Sequence, residues 1–150
     1  MVWCPHVTVA AVIERDGRFL LVEEDTLDGV RSNQPAGHVE QAESILHAVT
    51  RETGEETAWD FIPDSLIGIY HWQRPDQTVT YLRFAFSGRL GEHHPTQRLD
   101  EGIRQTVWLT YDEILARKNQ WRSRLVIDVI DDYLAGQRYP LSVLTDYHSD

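Results

Sequence analysis

The sequence predicts a mixed α/β fold, an α+β or α/β sandwich in which helices lie on both sides of a mixed β-sheet. Three observations predict it: apolar runs rich in β-branched residues near the N-terminus, a central segment of helical periodicity, and further strand-like runs before two short amphipathic segments. This order of elements is typical of a sheet held between helical layers. The chain has 150 residues, so we expect a single domain over residues 1–150.

The first 40 residues predict a hairpin followed by a loop. In HVTVAAVIERDGRFLLVEED, from His6, two apolar runs flank Asp16-Gly17, which is a favoured pair for a tight turn. The next stretch, TLDGVRSNQPAGHVE, is rich in turn-forming residues. We therefore expect one antiparallel strand pair and then an irregular connection.

A helix is predicted within GHVEQAESILHAVTRETGEETAW, from Gly37. On a helical wheel with about 100° per residue, Glu56 falls about 40° from the centre of the apolar stripe, Glu52 about 80° and Glu55 about 140°. The three carboxylates therefore run from the edge of the buried stripe onto one flank, where an unpaired charge is costly. The stripe itself consists of Ala42, Ile45, Leu46, Val49 and Thr53.

The rest of the chain predicts a second antiparallel pair, one more strand and two helices. The pair is LIGIYHWQ, from Leu66, and TVTYLRFAFSG, from Thr78, joined by the turn RPDQ. After the polar loop GEHHPTQRLDEG come the strand IRQTVWLT, a short helix YDEILARK capped by Thr110, and an amphipathic helix RLVIDVIDDYLAG, with Gly136 beyond its end.

Composition excludes some classes of protein. The net charge of −10 argues against a protein that grips long nucleic acid, but small phosphorylated substrates stay compatible with it. No apolar stretch approaches the roughly 20 residues of a membrane span, and the N-terminus lacks the features of a signal peptide, so we expect a cytoplasmic protein. The single cysteine, Cys4, can form no internal disulfide, and we expect it to be a buried or half-buried small side chain.

The acids of the predicted helix form a candidate metal site. Glu52, Glu55 and Glu56 stand at positions i, i+3 and i+4, so their side chains can converge on one point. Hard carboxylate oxygens suit Mg²⁺ or Mn²⁺. A solvated face of ordinary surface glutamates is the alternative, and the cluster by itself does not decide between the two.

The residues around this cluster resemble the Nudix box, GX5EX7REUXEEXGU, where U is a bulky apolar residue. Two positions differ: Thr53 stands where an aliphatic residue is preferred, and Ala58 replaces the second glycine. We expect Thr53 to keep facing the apolar stripe, and Ala58 to cost about 1 kcal/mol if the helix ends with a positive φ. The six matching positions are Gly37, Glu43, Arg51, Glu52, Glu55 and Glu56.

The resemblance implies a Nudix-type α/β/α sandwich with a loop-helix-loop catalytic motif that hydrolyses phosphoanhydride bonds. It implies that Glu52, Glu55 and Glu56 are catalytic and bind the metal, to which Gly37 adds a backbone carbonyl. It also implies that a catalytic-site arginine, Arg51, forms an ion pair with Glu43 that fixes the loop to the helix.

The family often adds an acidic residue from a later loop, as a metal ligand or a base. Asp100 and Glu101, in QRLDEGI, are the candidates here. Glu40 is a weaker candidate inside the box loop. Solvated loop acids are the alternative for all three.

Segments outside the box resemble the NudJ-type phosphatases within this family; they are HVTVAAV, NQPAGHVE, LRFAF, PTQ and GQRYPL. This resemblance implies hydrolysis of nucleoside di- and triphosphates with release of orthophosphate, and cleavage of the diphosphate of the thiamin precursor hydroxymethylpyrimidine. The expected partner is such a small molecule, bound by a monomer or homodimer, with no membrane and no stable nucleic-acid complex. The alternatives are another substrate (a nucleotide sugar, a dinucleoside polyphosphate or a capped RNA end) or a non-catalytic nucleotide sensor, against which the intact acids argue.

Candidate substrate-binding residues are cations and aromatic rings. Arg83 is the best phosphate-facing cation because it lies within an otherwise apolar strand. Core packing or surface exposure is the alternative for each candidate, and packing is favoured for Tyr81. His71 is a weaker candidate for a hydrogen bond to a base. The run WRSR, from Trp121, is a weaker candidate for a segment that covers the site. The substrate-binding set is Arg31, Arg83, Trp72, Arg138 and Tyr139.

Overall fold

The computed structural model describes residues 2–147, which form eight strands and three α-helices. The strands are β1 (His6–Val12), β2 (Glu14–Arg15), β3 (Arg18–Thr26), β4 (Gly29–Asn33), β5 (Ala36–His38), β6 (Trp59–Gln73), β7 (Thr80–His93) and β8 (Ile103–Thr110). The helices are α1 (Ile45–Thr57), α2 (Tyr111–Ala116) and α3 (Leu125–Leu134), with short 3-10 turns at Lys118–Gln120 and Leu141–Val143.

The strands form two four-stranded sheets. The first has the order β5-β1-β7-β6, and it is mixed because β1 runs parallel to β7 while the other pairs are antiparallel. The second is antiparallel, with β3 paired to β2, β4 and β8. The predicted mixed sheet is confirmed, but the strands divide between two sheets rather than forming one.

Helices cover both faces of the strands, which confirms the predicted sandwich. On β1 the side chains alternate: Val9 and Ala11 pack with Val49 of α1. Val12 instead joins the core that contains Val126 of α3. Because strand side chains alternate between faces, one buried strand serves both cores.

The N-terminal hairpin is smaller than predicted. The turn at Asp16-Gly17 forms with positive φ at both residues, 53° and 76°. Its arms are β2 and β3, however, whereas β1 pairs with β5 and β7 of the other sheet. The reason is that β1 is apolar on both faces and therefore takes a central position, and the chain changes sheets at Ile13.

The stretch predicted as a loop, residues 26–40, contains two short strands. β4 pairs with β3, and β5 pairs with β1. Their residues lack strand periodicity, so the partner strands rather than local preference determine their conformation. The later strands are also longer than predicted, since β6 begins at Trp59 and β7 continues to His93.

Helix α1 begins at Ile45, three residues later than the predicted stripe. Ala42 is exposed with φ 63°, and Ser44 caps the helix by accepting a hydrogen bond from the His47 backbone N–H. At the other end Ala58 has φ 62°, so the penalty for replacing glycine applies. Thr53 is fully buried, as predicted.

The C-terminal elements follow the prediction closely. β8 has the predicted bounds, Thr110 caps α2 in a capping box with Glu113, and Gly136 follows α3 with φ 87°. The prediction for Cys4 is wrong, because its side chain is exposed. Among residues 2–147 no helix has the length and apolar character needed to cross a membrane.

Candidate active site

Gly37 lies directly against the carboxylate of Glu52. A Cβ built on Gly37 would overlap the Cδ and both oxygens of Glu52. Strand β5 brings Gly37 to this place through its pairing with Val9 of β1. The glycine of the motif is therefore required for space, and it lets the backbone of β5 approach an acid of α1.

Glu56 is the most buried of the three helix acids. It is 7% exposed, whereas the side chains of Glu52 and Glu55 are 13% and 41% exposed, which is the order expected from the helical wheel. One Glu56 oxygen accepts a hydrogen bond of 2.9 Å from the Ala36 backbone N–H. Burial raises the pKa of Glu56 to about 9, and the nearby carboxylates of Glu24, Glu52 and Asp100 act in the same direction.

Arg51 connects the loop to the helix. Its Nε and Nη2 donate to the two oxygens of Glu43 at 2.6 and 2.9 Å, so the predicted ion pair is present. Its Nη2 also donates to the His38 carbonyl at 3.0 Å, and its Nη1 donates to Glu52 and Glu55 at 2.9 and 3.1 Å. The hydrogen bond from Arg51 lowers the pKa of Glu43 to about 2.

A loop acid joins two of the helix acids. Oxygen atoms of Glu52, Glu55 and Asp100 lie within 4.8 Å of one another. The loop is tied to the helix because the Asp100 backbone N–H donates to the Glu55 carbonyl at 3.0 Å. Glu101 is exposed and lies outside this group. Three hard oxygen donors at this separation can hold a divalent cation such as Mg²⁺ or Mn²⁺.

A cavity of about 850 Å³ lies beside this group and is lined by Glu52 and Glu56 of α1. Its size is that of a small-ligand site. Its lining combines acids, cations and two aromatic rings. The acids are Glu24, Glu40, Glu52 and Glu56; the cations are Arg31, Arg74, Arg83, Arg122 and Arg124; and the rings are Trp72 and Tyr81.

Three predicted substrate-binding residues line this cavity. Arg31 is half-buried in β4, and Arg83 in β7 is 7% exposed. Trp72 in β6 stacks on Tyr81 with ring centroids 6.0 Å apart and planes at 16°. Residues 122–124 of the WRSR run also line the cavity. Trp121 does not line it, and its indole N–H donates to the Ile114 carbonyl.

Arg138 and Tyr139 lie elsewhere. The Arg138 guanidinium lies 4.0 Å over the Tyr133 ring and donates to the Tyr133 and Gln137 carbonyls. Tyr139 pairs with the Leu66 backbone and lines a separate cavity of about 460 Å³. This placement gives no support to the prediction that the two residues bind substrate in the cavity of the acids. His71 is exposed and does not line that cavity either.

Sequence reasoning missed several polar residues of the cavity, among them Glu24 and Asn33. Burial raises the pKa of Glu24, whose oxygen lies 3.9 Å from Arg122. Asn33 is 6% exposed at the end of β4. Glu24 could have been identified from the sequence as an acid that directly continues the apolar run of β3. Asn33 could not, because it lies in a stretch that was predicted to be a loop.

Comparisons with known proteins agree on one family. The family model described as the NUDIX domain matches residues 4–129. The chain is 42% identical over 144 residues to phosphatase NudJ of Escherichia coli strain K12, which covers 96% of this chain and 93% of that protein, and the NudJ phosphatase of Shigella flexneri matches equally.

Solved structures give the same result. A NUDIX hydrolase from Nitrosomonas europaea superposes with a TM-score of 0.93 at 49% identity, covering 96% of this chain and 98% of that one. A MutT NUDIX hydrolase from Burkholderia pseudomallei shares the fold, with a TM-score of 0.73 at 18% identity over 87% of this chain and 98% of that one. The chain therefore belongs to the Nudix family of hydrolases.

Proposed function

We propose that this chain hydrolyses phosphoanhydride bonds of small nucleoside di- and triphosphates, and of hydroxymethylpyrimidine diphosphate, with release of orthophosphate. The observation that carries the proposal is the grouping of carboxylate oxygens of Glu52, Glu55 and Asp100 beside a cavity that Glu52 lines together with cations and aromatic rings. The similarity to phosphatase NudJ over nearly the whole chain supports the choice of substrate class. We expect a single-domain cytoplasmic enzyme, monomeric or homodimeric, that forms no stable complex with nucleic acid.

The proposed cofactor is Mg²⁺, with Mn²⁺ as a substitute. Glu52, Glu55 and Glu56 would hold it together with the Gly37 carbonyl. The residues fit the ion because all are hard oxygen donors and because Gly37, which has no side chain, lets its backbone lie against the Glu52 carboxylate. Oxygen atoms of Glu52 and Glu55 lie close together, with one of Asp100 beside them. When bound, divalent ions neutralise phosphate charge and lower the pKa of bound water.

The other side chains position these acids and the substrate. Arg51 keeps Glu52 and Glu55 on one side of the helix and anchors the preceding loop through Glu43. Asp100, held against α1 by its backbone, is favoured over Glu101 as the additional loop acid. Arg31 and Arg122, at the cavity wall, are suited to hold the phosphate oxygens that are not transferred.

The test is phosphate release from a panel of nucleoside di- and triphosphates and hydroxymethylpyrimidine diphosphate, with and without Mg²⁺. We expect turnover only with a divalent ion, and we expect Glu56→Gln to abolish it while the circular dichroism spectrum stays unchanged. Asp64→Asn, a change at an exposed acid outside the cavity, is the control and should keep full activity. Equal rates for wild type and Glu56→Gln would refute the proposal.

The same panel decides between the alternatives. Nucleotide sugars and dinucleoside polyphosphates belong in it, and a strong preference for either would replace the proposed substrate class. Release of pyrophosphate instead of orthophosphate would change the bond that is cut. Tight nucleotide binding without turnover would identify a sensor.

A further inference from the structure

We propose that Asn33 and Arg83 form a ring-recognition pair, which hydrogen-bonds the edge of a planar heterocycle lying against Trp72 and so determines which base the enzyme prefers. This inference rests on the proposed function and deepens it. It assigns the far part of the cavity to the ring of the substrate rather than to its phosphates.

Arg83 is a buried cation with few hydrogen-bond partners. It is 7% exposed, its Nε has no hydrogen-bond partner, and its Nη1 makes one long bond of 3.4 Å to Gln34 Oε1. Among residues 2–147 no carboxylate forms an ion pair with it within 4.0 Å; Glu24 and Glu56 act only at longer range. A buried guanidinium in this state is costly unless a ligand supplies acceptors.

Asn33 is the second unsatisfied group. Its side-chain oxygen is buried without a partner in the described part of the chain, and it lines the same cavity as Arg83. Asn33 immediately precedes Gln34, whose side chain accepts a hydrogen bond from Arg83, and Asn33 and Arg83 line the same cavity. In either orientation of the amide, the Asn33 side chain offers a ligand an acceptor carbonyl and a donor NH₂ group.

The pair lies beside an aromatic surface. Arg83 and Tyr81 are two residues apart on β7, so they point to the same face about 7 Å apart. Trp72 is directly opposite Tyr81 on β6 and stacks on it. A ring placed against Trp72 would therefore turn one edge toward Arg83.

The distance to the acids also suits a nucleotide. In the strand order β5-β1-β7-β6, three strand spacings, about 14 Å, separate Gly37 on β5 from Ile69, its register partner on β6. Trp72 lies three residues farther along β6, so its backbone is about 17 Å from that of Gly37. Arg83, on β7, is one spacing nearer to the acids. A substrate with its diphosphate at the acids thus reaches Trp72 with its ring, as an extended nucleoside diphosphate does.

The chemistry of the pair favours a heterocycle over a phosphate. A deprotonated phosphate oxygen is only an acceptor, so it can satisfy the NH₂ group of the Asn33 amide but not its carbonyl, whichever way the amide is oriented. Base edges carry donors and acceptors together, which match an amide and a guanidinium. Rim cations such as Arg31 and Arg122 are available for phosphate, since they line the same cavity.

The experiment distinguishes binding of the substrate's ring from binding of its phosphates. In Asn33→Ala and Arg83→Met we would measure kcat/KM for nucleoside diphosphates that carry each base, and inhibition by the free nucleoside and by inorganic pyrophosphate. We expect a roughly 10- to 100-fold loss of kcat/KM for the preferred base, mainly through KM, with discrimination between bases reduced. Inhibition by the nucleoside should weaken about as much, and inhibition by pyrophosphate should stay within about twofold of wild type.

Matched controls are Asn119→Ala and Arg104→Met, two exposed positions outside the cavity, which should behave as wild type. Melting temperatures establish that the variants fold, and Arg83→Lys provides a conservative second variant. Weakened inhibition by pyrophosphate with nucleoside inhibition intact would overturn the proposal and assign Arg83 to phosphate, as would unchanged base discrimination. A wild type that hydrolyses no nucleotide would instead refute the proposed function.

Discussion

A methyl group on Gly37 would occupy the space of the Glu52 carboxylate. The contact is between β5 and α1, two elements that the Arg51–Glu43 ion pair also holds together. Substitution at Gly37 must therefore move either the strand or the acid. The motif glycine serves here to position a side chain on another element rather than to permit an unusual φ.

Gly37→Ala should lower kcat/KM about 100-fold or more, because a catalytic group displaced by about 1 Å loses rate on that scale. Steady-state phosphate release measures it. Gly54→Ala, in α1, is the control: its new Cβ would meet only the Trp59 carbonyl at 3.8 Å. This variant should keep its activity and gain up to about 1 kcal/mol of stability from helix propensity. Similar kinetics for both variants would contradict the account.

Thr53→Val should stabilise the protein by about 1 kcal/mol, because the Thr53 hydroxyl is fully buried and has no hydrogen-bond partner in the described chain. Urea unfolding measures the change. Thr57→Val is the matched control in the same helix. The Thr57 hydroxyl donates to the Thr53 carbonyl at 2.6 Å, so its loss should destabilise by about the same amount. A destabilised Thr53→Val would show that its hydroxyl has a partner.

The Glu43–Arg51 pair should make stability sensitive to acid. The pKa of Glu43 is about 2 in the folded chain and about 4.5 in the unfolded one, so the unfolded chain binds the proton first as pH falls. The stabilisation is complete above pH 4.5 and disappears toward pH 2, on the order of 3 kcal/mol in total.

The measurement is the free energy of unfolding of wild type minus that of Glu43→Gln, between pH 2 and pH 7. This difference should rise with pH and level off above 4.5. Asp25→Asn, which removes an exposed pair with Arg104, should change stability by less than about 1 kcal/mol throughout. A difference independent of pH would exclude the ion pair as its source.

Glu56 should have the opposite effect in metal-free protein. Its pKa of about 9 means that between pH 4.5 and 9 the native chain holds a proton that the unfolded chain releases, so stability falls as pH rises. Glu56→Gln should therefore be the more stable protein at pH 8, on the order of 2–4 kcal/mol, since glutamine can still accept the Ala36 hydrogen bond.

Thermal unfolding with chelator, at pH 5 and pH 8, measures this effect. The advantage of Glu56→Gln should be small at pH 5 and larger at pH 8. Added Mg²⁺ should stabilise wild type more than the variant, because a bound ion favours the ionised acid. Asp64→Asn, at an exposed acid outside the cavity, should behave as wild type in every condition. An advantage that shrinks with rising pH would contradict the raised pKa.

The directions of the three helix acids could be predicted because the acids belong to one helix, although Glu52 and Glu55 group with Asp100 and not with Glu56. A 3.6-residue repeat fixes the relative directions of Glu52, Glu55 and Glu56 without knowledge of the rest of the chain. The helix start was missed since Ala42 adopts a positive φ, which alanine disfavours and which no local pattern announces. The ion pair of Glu43 with Arg51 came from the motif rather than from helix spacing.

The far side of the cavity was harder to predict. Trp72, Arg83 and Asn33 lie on three strands, and their proximity depends on pairings that local sequence does not encode. Asn33 ends a strand whose partner supplies its conformation, so it was assigned to a loop. Arg138 and Tyr139 were placed in the site by residue type alone, and packing against Tyr133 and Leu66 holds them elsewhere.

The parallel pairing of β1 with β7 has a consequence for synthesis. Residues 6–12 leave the ribosome long before residues 81–87, their partners in the sheet. Until then β1 can pair only with the short β5, over three residues. The apolar β1, which is a central strand in the finished sheet, therefore stays largely unpaired. Pairing of two strands that lie so far apart in the sequence is slow. Ribosome-bound chains that end before residue 80 should therefore recruit chaperones through this segment, and chains that end after residue 110 should not.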